Sequence, residues 1–366
     1  MPSGPSAVHY NPAALPFGSG LAVEAGVFVE HERSSTTTDG GVTARSDSTS
    51  ASAALFVSQR LGNHFAMGIG VYRAPMQRLD YPDGYSDRFQ VQRASFGGTV
   101  LTPTVAGRPF SFLSIGFGLS VAFGQLSLSQ AAMAASGEAR TDVQSKAAGI
   151  GGTIGLWARL YRQYLSLGVA YRSAIDMDHS GQATTRVGGA VASVQDAILS
   201  MRIPHMITVG FGSRPRPGLS LQLEARVQLL RDMGGFYATT TAESATPIVT
   251  MPLTLKEAWQ VRFGMEQLLL SNRLAIRAGV GYDFGAGRRD VDAAFPDGDR
   301  VVLCAGLGWA QNNLSVDVGY MASFSPSNAG SRGVTYAADY STVRHLIGLT
   351  MAFRAPNVGT APTWRE

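Results

Sequence analysis

Residues 219–229, LSLQLEARVQL, decide the fold class because they alternate strictly between two kinds of side chain. Leu, Ala and Val occupy the odd positions, and Ser, Gln, Glu and Arg occupy the even ones. Successive side chains of a β-strand point to opposite faces, whereas a helix with about 3.6 residues per turn would mix the two sets. The segment therefore predicts a strand with one apolar and one polar face.

The same period of two residues returns along the chain, in residues 21–30, 113–121, 259–266, 273–283, 314–320 and 346–353. One uncharged run, residues 109–137, is long enough to cross a bilayer as a helix. Within it, however, large apolar residues from Leu113 to Val121 alternate with Ser and Gly, which favours a strand. A barrel wall with one face in lipid and the other in a wet lumen produces this alternation.

The connections between strands are predicted to differ in length on the two sides of the sheet. Short turns are predicted at residues 62–63, 108–109, 162–163, 216–217, 271–272 and 312–313. Longer polar loops are predicted near residues 34–47, 75–90, 125–146, 180–198, 233–256, 286–299 and 325–341. This asymmetry is typical of bacterial outer-membrane barrels, so we predict an all-β, membrane-spanning antiparallel β-barrel of about 14 strands.

The composition excludes several other classes of protein. Only 15% of the 366 residues are charged, against about 25% in an average soluble domain. The mean hydropathy of +0.05 is low for a helical membrane protein but suits a barrel, in which only alternate residues meet lipid. The net charge of +4 is not gathered into a basic patch, so binding to nucleic acid is not expected.

The chain carries no recognisable catalytic or metal-binding motif. Its single cysteine, Cys304, excludes an intramolecular disulfide framework and is predicted to be a small wall residue. The neighbours Asp176, Asp178 and His179 are predicted to be a solvated loop end rather than a metal or catalytic site. Glycine-rich pieces lack the βαβ context of a dinucleotide site, and no G-x-S-x-G elbow is present. We therefore predict no enzyme activity, cofactor or metal.

Both ends of the chain bear on its location. The last predicted strand ends at Phe353 and resembles the C-terminal signal that barrels present to the outer-membrane insertion machinery. The first residues, MPSGPSAVHYNPAALP, contain neither the charged nor the apolar segment of a secretory signal. Because such a barrel has to cross the inner membrane, we expect that a signal was removed or that the start is misassigned. The predicted location is the outer membrane of a Gram-negative bacterium.

Several segments, taken in order, resemble the long-chain fatty acid transporter family of the outer membrane (FadL-like hydrocarbon channels). They are residues 6–16 with Asn-Pro-Ala, 165–181 with G-x-x-Y-R-S, 203–225, 257–285 and 295–320. Each motif alone is weak, but together they cover nearly the whole chain. Family members carry a longer plug ahead of Asn-Pro-Ala than the ten residues that precede it here. Either the plug is reduced in this member or the sequence starts late.

The resemblance implies a domain organisation and two candidate gating elements. Residues 1–16 would be an N-terminal plug, 17–354 the barrel and 355–366 a polar C-terminal tail. Asn11, Pro12 and Ala13 would belong to the plug. A lateral opening would lie at a kink in the third strand, predicted at residues 64–74, where Gly68 and Gly70 permit bending. Ordinary barrel bending is an alternative explanation for both glycines.

Six charged residues face the predicted lumen by parity, and two roles are open to them. They are Arg172, Arg226, Arg262, Arg277, Glu224 and Glu266. An inward arginine would bind the carboxylate of a fatty acid. Alternatively the arginines pair with acids across the lumen, and this structural role is favoured for each arginine singly.

The resemblance implies passive uptake of long-chain fatty acids or other hydrocarbons, with lateral release into the membrane near the third strand. Its expected partners are hydrophobic small molecules, outer-membrane lipid and lipopolysaccharide, and the insertion machinery during assembly. A binding or assembly component for secretion or adhesion, on the same barrel, is the alternative function. An outer-membrane enzyme is the least supported hypothesis, since no clustered His, Asp and Ser set is present.

Overall fold

The computed structural model describes residues 4–38, 43–74, 77–135, 137–161, 164–233, 235–240, 247–253, 255–287, 297–329 and 338–355. Over these ranges the chain forms a closed antiparallel β-barrel of fourteen strands, which confirms the predicted fold class. Each strand pairs with the next, and the last strand pairs with the first from Ala22 opposite Arg354 to Thr38 opposite Ala338. Closure removes the unpaired sheet edges that an open sheet of this size would expose.

The barrel strands are β1 (Leu21–Thr38), β2 (Thr43–Leu61), β3 (Phe65–Arg73 and Gln77–Asp80), β4 (Arg93–Phe110), β5 (Leu113–Ala134), β6 (Gly137–Leu160), β7 (Leu165–Arg172 and Ile175–Val187), β8 (Ala190–Ile203 and Met206–Arg216), β9 (Leu219–Gln228), β10 (Ala258–Leu269), β11 (Leu274–Phe284), β12 (Arg300–Gln311), β13 (Leu314–Ala329) and β14 (Ala338–Arg354). Two further strands, Gly235–Ala238 and Val249–Pro252, pair only with each other.

The helices are short. An α-helix, α1 (Ala7–Tyr10), and a 3-10 helix (Pro12–Phe17) precede β1, and two more 3-10 helices are Ser86–Phe89 and Leu230–Met233. In the part of the chain that is described, none of the helices is long and apolar enough to cross a bilayer.

Alternation divides the wall into an apolar outer face and a mixed inner face. On β1 and β14, Val27 and Leu349 face each other and are 55% and 40% exposed on the outside of the barrel. Four residues further along β1, His31 lies opposite His345 and Thr49. The change from aliphatic to polar side chains marks the outer edge of the apolar band.

Three of the predicted long loops are strand instead. β1 and β2 pair as far as Thr37 and Thr43, so residues 34–47 lie mostly in a hairpin. Residues 125–146 and 180–198 likewise extend β5 with β6 and β7 with β8. These segments look like loops in the sequence because they extend beyond the apolar band, where the outward-facing side chains are no longer aliphatic. Their backbone hydrogen bonds do not depend on that alternation, so the strands continue.

The predicted short turns lie close to where the structure has them, with one shift. β4 continues through residues 108–109 to Phe110, so that turn occurs at residues 111–112. Residues 162–163 lie outside the described ranges, as do residues 356–366 of the predicted C-terminal tail. Short turns at one end and the longer connections at the other orient the barrel, with the short turns at the periplasmic side.

Candidate functional site: the plugged lumen

The N-terminal segment folds into the barrel and fills its periplasmic half. Val8, Ala13, Ala14 and Leu15 are buried there. They pack in one apolar group, the plug cluster, whose wall members include Phe56, Ala66, Tyr72, Ala74, Val100, Ala106, Trp157, Ile175 and Met177. Residues 1–16 were predicted to form a plug. The described part of that segment, from Gly4, lies inside the barrel and is called the plug here for its position, whereas its role in closing the lumen stays a prediction.

Asn11 ties this segment to the wall. Its side-chain amide donates hydrogen bonds to the carbonyls of Leu156 (3.0 Å) and Val169 (3.2 Å), which are register partners on β6 and β7. Its Oδ1 accepts from the backbone N–H of Ala13 at 3.0 Å and so caps the 3-10 helix. Pro12 occupies the first position of that helix, where its missing N–H costs nothing.

Two wall glycines make room for the Asn-Pro-Ala segment. Gly116 and Gly155 are register partners on β5 and β6. A Cβ at Gly155 would lie 2.1 Å from Asn11 Oδ1, and one at Gly116 would lie 2.5 Å from the carbonyl carbon of Pro12. Sequence reasoning missed this cradle, because a glycine inside a strand has several explanations and only the packed structure selects one.

Gly68 and Gly70 also face the plug. A Cβ at Gly68 would lie 2.7 Å from Val8 Cγ2, and one at Gly70 would lie 2.7 Å from Phe56 Cδ1 and 3.1 Å from Val8 Cγ1. Both glycines lie in the regular part of β3, which pairs with β2 from Phe65 to Val71 and with β4 throughout. They provide space for Val8, and the interruption of β3 comes later, between Arg73 and Gln77.

A gap in the wall accompanies that interruption. The last register pair between β2 and β3 is Leu55 with Val71, although β2 continues to pair with β1 as far as Thr43. β3 itself stays paired with β4 beyond the interruption. Among the described residues, the outer half of β2 therefore has no backbone ladder partner on its β3 side. Two hydrogen bonds that involve side chains cross this stretch, from Arg73 to the carbonyl of Ala51 and from the backbone N–H of Asp80 to Ser46 Oγ. The gap starts at Ala54, and the next residue, Ala53, lies opposite Val27 and thus within the apolar band.

A second apolar group fills the outer half of the lumen. This mouth cluster includes Leu79, Tyr81, Val91, Leu126, Leu128, Val143, Leu199, Phe236 and Met251. Met201 packs against both the mouth cluster and the plug cluster. The two clusters also lie on either side of the interruption in β3, since Ala74 belongs to one and Leu79 to the other. On the side of the barrel that these clusters occupy, the interior is therefore apolar from the mouth to the plug and beside the gap.

His179 lies inside this apolar interior, so the prediction of a solvated loop end is wrong for it. The side chain is completely buried on β7, opposite Leu199 of β8. Its neighbours Asp176 and Asp178 point outward, where Asp176 pairs with Arg202 at 2.5 Å. In the described residues, no group of three or more His, Cys, Asp and Glu side chains is placed to hold a metal.

Three of the four predicted lumen arginines form ion pairs with wall acids. Arg226 contacts Glu224 at 3.0 Å and Arg262 contacts Asp283 at 3.2 Å. Arg277 contacts Glu266 at 2.7 Å.

Arg277 also reaches across β12 to Asp317. Gly308 allows this contact, because a Cβ there would lie 2.2 Å from the Asp317 carboxylate. These pairs neutralise the inner face of β9 to β13.

Arg172 has a different role. Its guanidinium donates to the backbone carbonyl of His9 at 2.6 Å, so it holds the plug. Among the described residues no carboxylate lies within ion-pair distance of it. A small cleft opens beside it between plug and wall, lined by His9, Tyr10, Thr153, Ala170, Tyr171, Arg172, Met206, Thr208 and Arg226.

The position of His9 predicts that acid weakens the docking of the plug. Burial lowers the pKa of its imidazole well below the ordinary value of 6.5, and Arg172 and Arg226 act in the same direction. The rings of Tyr10 and Tyr72 cover its other sides. In a released plug the imidazole of His9 would regain its ordinary pKa. Docking of the plug is therefore fully favoured at a pH above that ordinary value and weakens as the pH falls below it.

We therefore expect the ionic conductance of the barrel in planar bilayers to rise between about pH 7.5 and about pH 5. His9→Gln, which cannot take up a proton, should remove most of this rise. Glu24→Gln is the control and should leave the rise in place, because it changes a different contact of the same segment, the one in which Glu24 accepts from Ser6 Oγ at 3.2 Å. An equally steep pH response in His9→Gln would contradict the assignment.

Comparison with known proteins shows which family and which solved structures this chain resembles. The model of the family described as "Outer membrane protein transport protein (OMPP1/FadL/TodX)" matches residues 1–354. A FadL homologue of Pseudomonas aeruginosa is 16% identical, with 96% of this chain and 94% of that chain covered and a TM-score of 0.87. The toluene transporter TodX of P. putida is 16% identical, with 97% and 95% covered and a TM-score of 0.76.

The toluene transporter TbuX of Ralstonia pickettii is 17% identical, with 96% and 94% covered and a TM-score of 0.70. At these identities the likeness shows the fold. Comparison with the curated proteins found no match.

Proposed function

This chain belongs to the outer membrane protein transport family (OMPP1/FadL/TodX), a family of transport channels rather than enzymes, and on that premise we propose that it is a passive channel for hydrophobic compounds. The compounds are long-chain fatty acids or other hydrocarbons, including monoaromatic ones. They enter at the mouth, pass along the apolar interior and leave sideways into the membrane between β2 and β3.

The gap between β2 and β3 is the observation that carries this proposal. It lies beside both apolar clusters and opens within the apolar band, opposite the exposed side chain of Val27. A hydrophobic molecule moving through it exchanges one apolar environment for another and avoids the aqueous periplasm, where its transfer is unfavourable. The route needs no energy source, because the molecule moves down its own concentration gradient.

The charges of the lumen support a channel for apolar molecules over a porin for ions. Three lumen arginines are compensated by four carboxylates, because Arg277 contacts both Glu266 and Asp317. A wall whose charges are compensated in this way does not produce the strong electrostatic field of one sign that would select free cations or anions. Of the four predicted lumen arginines, Arg172 is the one without a carboxylate partner among the described residues, and it lines the cleft beside the plug. It would therefore bind the head group of a fatty acid there.

The remaining partners follow from the same proposal. The exposed aliphatic band would contact membrane lipid, with lipopolysaccharide around the longer hairpins of the outer side. Phe353, 41% exposed at the periplasmic end of β14, would belong to the segment that the insertion machinery binds. An assembly component for secretion or adhesion would be expected to have a closed wall, which the β2–β3 gap disfavours.

Uptake by intact Gram-negative cells tests the proposal. Cells that lack their own hydrocarbon channels are supplied with labelled toluene, dodecane or dodecanoate, with and without this protein in the outer membrane. We expect faster initial uptake of at least one of these solutes when the protein is present, and no change for a sugar of similar mass. Equal uptake at confirmed expression would overturn the proposal.

A further inference from the structure

The side chain of His179 contains a polar atom that the fold leaves without a partner. The residue has no solvent exposure, and in the described part of the chain no hydrogen-bonding group is placed to contact its Nε2. Its other ring nitrogen, Nδ1, lies 3.4 Å from Ser145 Oγ. A buried ring nitrogen without a partner costs free energy, so its presence in an apolar interior calls for a physical reason.

His179 lies where the mouth cluster meets the plug cluster. On the inner face of β7 the residue before it is Met177, which belongs to the plug cluster, and the residue opposite it on β8 is Leu199, which belongs to the mouth cluster. Met201, which touches both clusters, is the register partner of Met177. The junction therefore lies beside the route from mouth to plug that the proposed function gives to a solute.

A glycine on β5 leaves space for the side chains of Met177 and His179. The imidazole reaches across β6 toward Gly124, where a Cβ would lie 3.5 Å from His179 Cε1 and 2.5 Å from Met177 Cε. Methionine side chains are flexible and accommodate ligands of varied shape. The junction therefore joins adaptable apolar walls with one fixed polar atom.

We propose that His179 is a specificity-determining residue for apolar molecules that carry a single oxygen-bearing group, such as a hydroxyl or a carboxyl. Its Nε2 forms a hydrogen bond with that group as the molecule passes the junction, and the apolar part packs against Met177 and Met201. The proposal rests on the proposed channel function and names the class of solute that the channel favours. One hydrogen bond at a buried site corresponds to about a tenfold preference.

The test compares solutes of equal chain length in the cellular uptake assay: dodecane, 1-dodecanol and dodecanoate. For the unmodified protein we expect 1-dodecanol or dodecanoate to enter about tenfold faster than dodecane, after subtraction of cells without the protein. His179→Leu should abolish this preference and leave dodecane uptake within about twofold. A hydroxyl group both donates and accepts hydrogen bonds, whereas a carboxylate only accepts them. A preference for 1-dodecanol alone would therefore assign Nε2 as the acceptor, and a preference that includes dodecanoate would assign Nε2 as the donor.

Two further variants separate recognition from folding. Met177→Leu, on the same wall and without a polar atom, should change all three rates in the same proportion. His179→Gln keeps a hydrogen-bonding side chain and should retain part of the preference, and heat-modifiable migration on gels checks that each barrel folds.

Equal loss of all three solutes in His179→Leu, or an unchanged preference, would overturn the inference and leave the channel intact. Absence of any uptake by the unmodified protein would instead overturn the proposed function.

Discussion

Gly155→Val should release the plug and turn the closed barrel into an ion-conducting one. The new Cβ would lie 2.1 Å from Asn11 Oδ1 and 3.0 Å from Pro12 Cδ, so the Asn-Pro-Ala segment has to leave its cradle. Its departure breaks the two hydrogen bonds that the Asn11 side chain donates to the wall. At about 1 kcal/mol each, their loss alone shifts the balance between docked and released plug by about thirtyfold.

Ionic conductance in planar bilayers measures this release. Gly152→Val is the matched control on the same strand, because a Cβ there meets nothing closer than the Gly118 carbonyl at 3.9 Å. Asn11→Ala removes the hydrogen bonds without introducing a clash and should raise conductance in the same direction, by less than Gly155→Val. A closed Gly155→Val barrel, folded and inserted, would show that the plug is not held at this cradle.

Closing the β2–β3 gap should abolish uptake of hydrophobic solutes, and a reversible crosslink offers the sharpest test. Continuation of the register beyond Leu55 and Val71 would place Ala53 opposite Arg73. Paired residues of antiparallel strands have Cα atoms about 4.5 to 5.5 Å apart, which a disulfide bridges. In a Cys304→Ser background, we expect oxidised Ala53→Cys/Arg73→Cys to lose at least about tenfold in uptake if lateral exit is the main route.

Reduction of the disulfide should restore uptake, and this recovery excludes an effect of the substitutions themselves. Leu55→Cys/Val71→Cys is the control, since these residues are already paired and a crosslink there leaves the gap open. Undiminished uptake in the crosslinked Ala53→Cys/Arg73→Cys protein would show that the solute leaves by another route, such as past a displaced plug.

The sequence predicted the wall of this protein better than its interior. Alternation in segments such as 219–229 identified the strands, because lipid on one side and a lumen on the other impose it residue by residue. The Asn-Pro-Ala motif pointed to the plug. Ion pairing was the favoured role for the inward arginines, and Arg277 forms such an ion pair with Glu266.

The errors have a common physical origin. Residues 34–47 look like a loop because above the apolar band a strand no longer needs aliphatic side chains, although its backbone pairing continues. His179 looks solvated because Asp176 and Asp178 flank it, and yet alternation turns those two outward and His179 inward. In both cases the side-chain composition was a poor guide to the backbone and to burial.

By itself, the sequence determined that the chain is a barrel and about how many strands it has. These properties follow from local patterns of two to eleven residues, to which hydrophobic burial responds directly. The tertiary structure alone decided where β2 and β3 part, which glycines receive the plug and which polar atom stays unpaired at the junction of the two clusters. Those features depend on strand register and on contacts between segments more than a hundred residues apart, such as Asn11 with Leu156, and no local pattern encodes them.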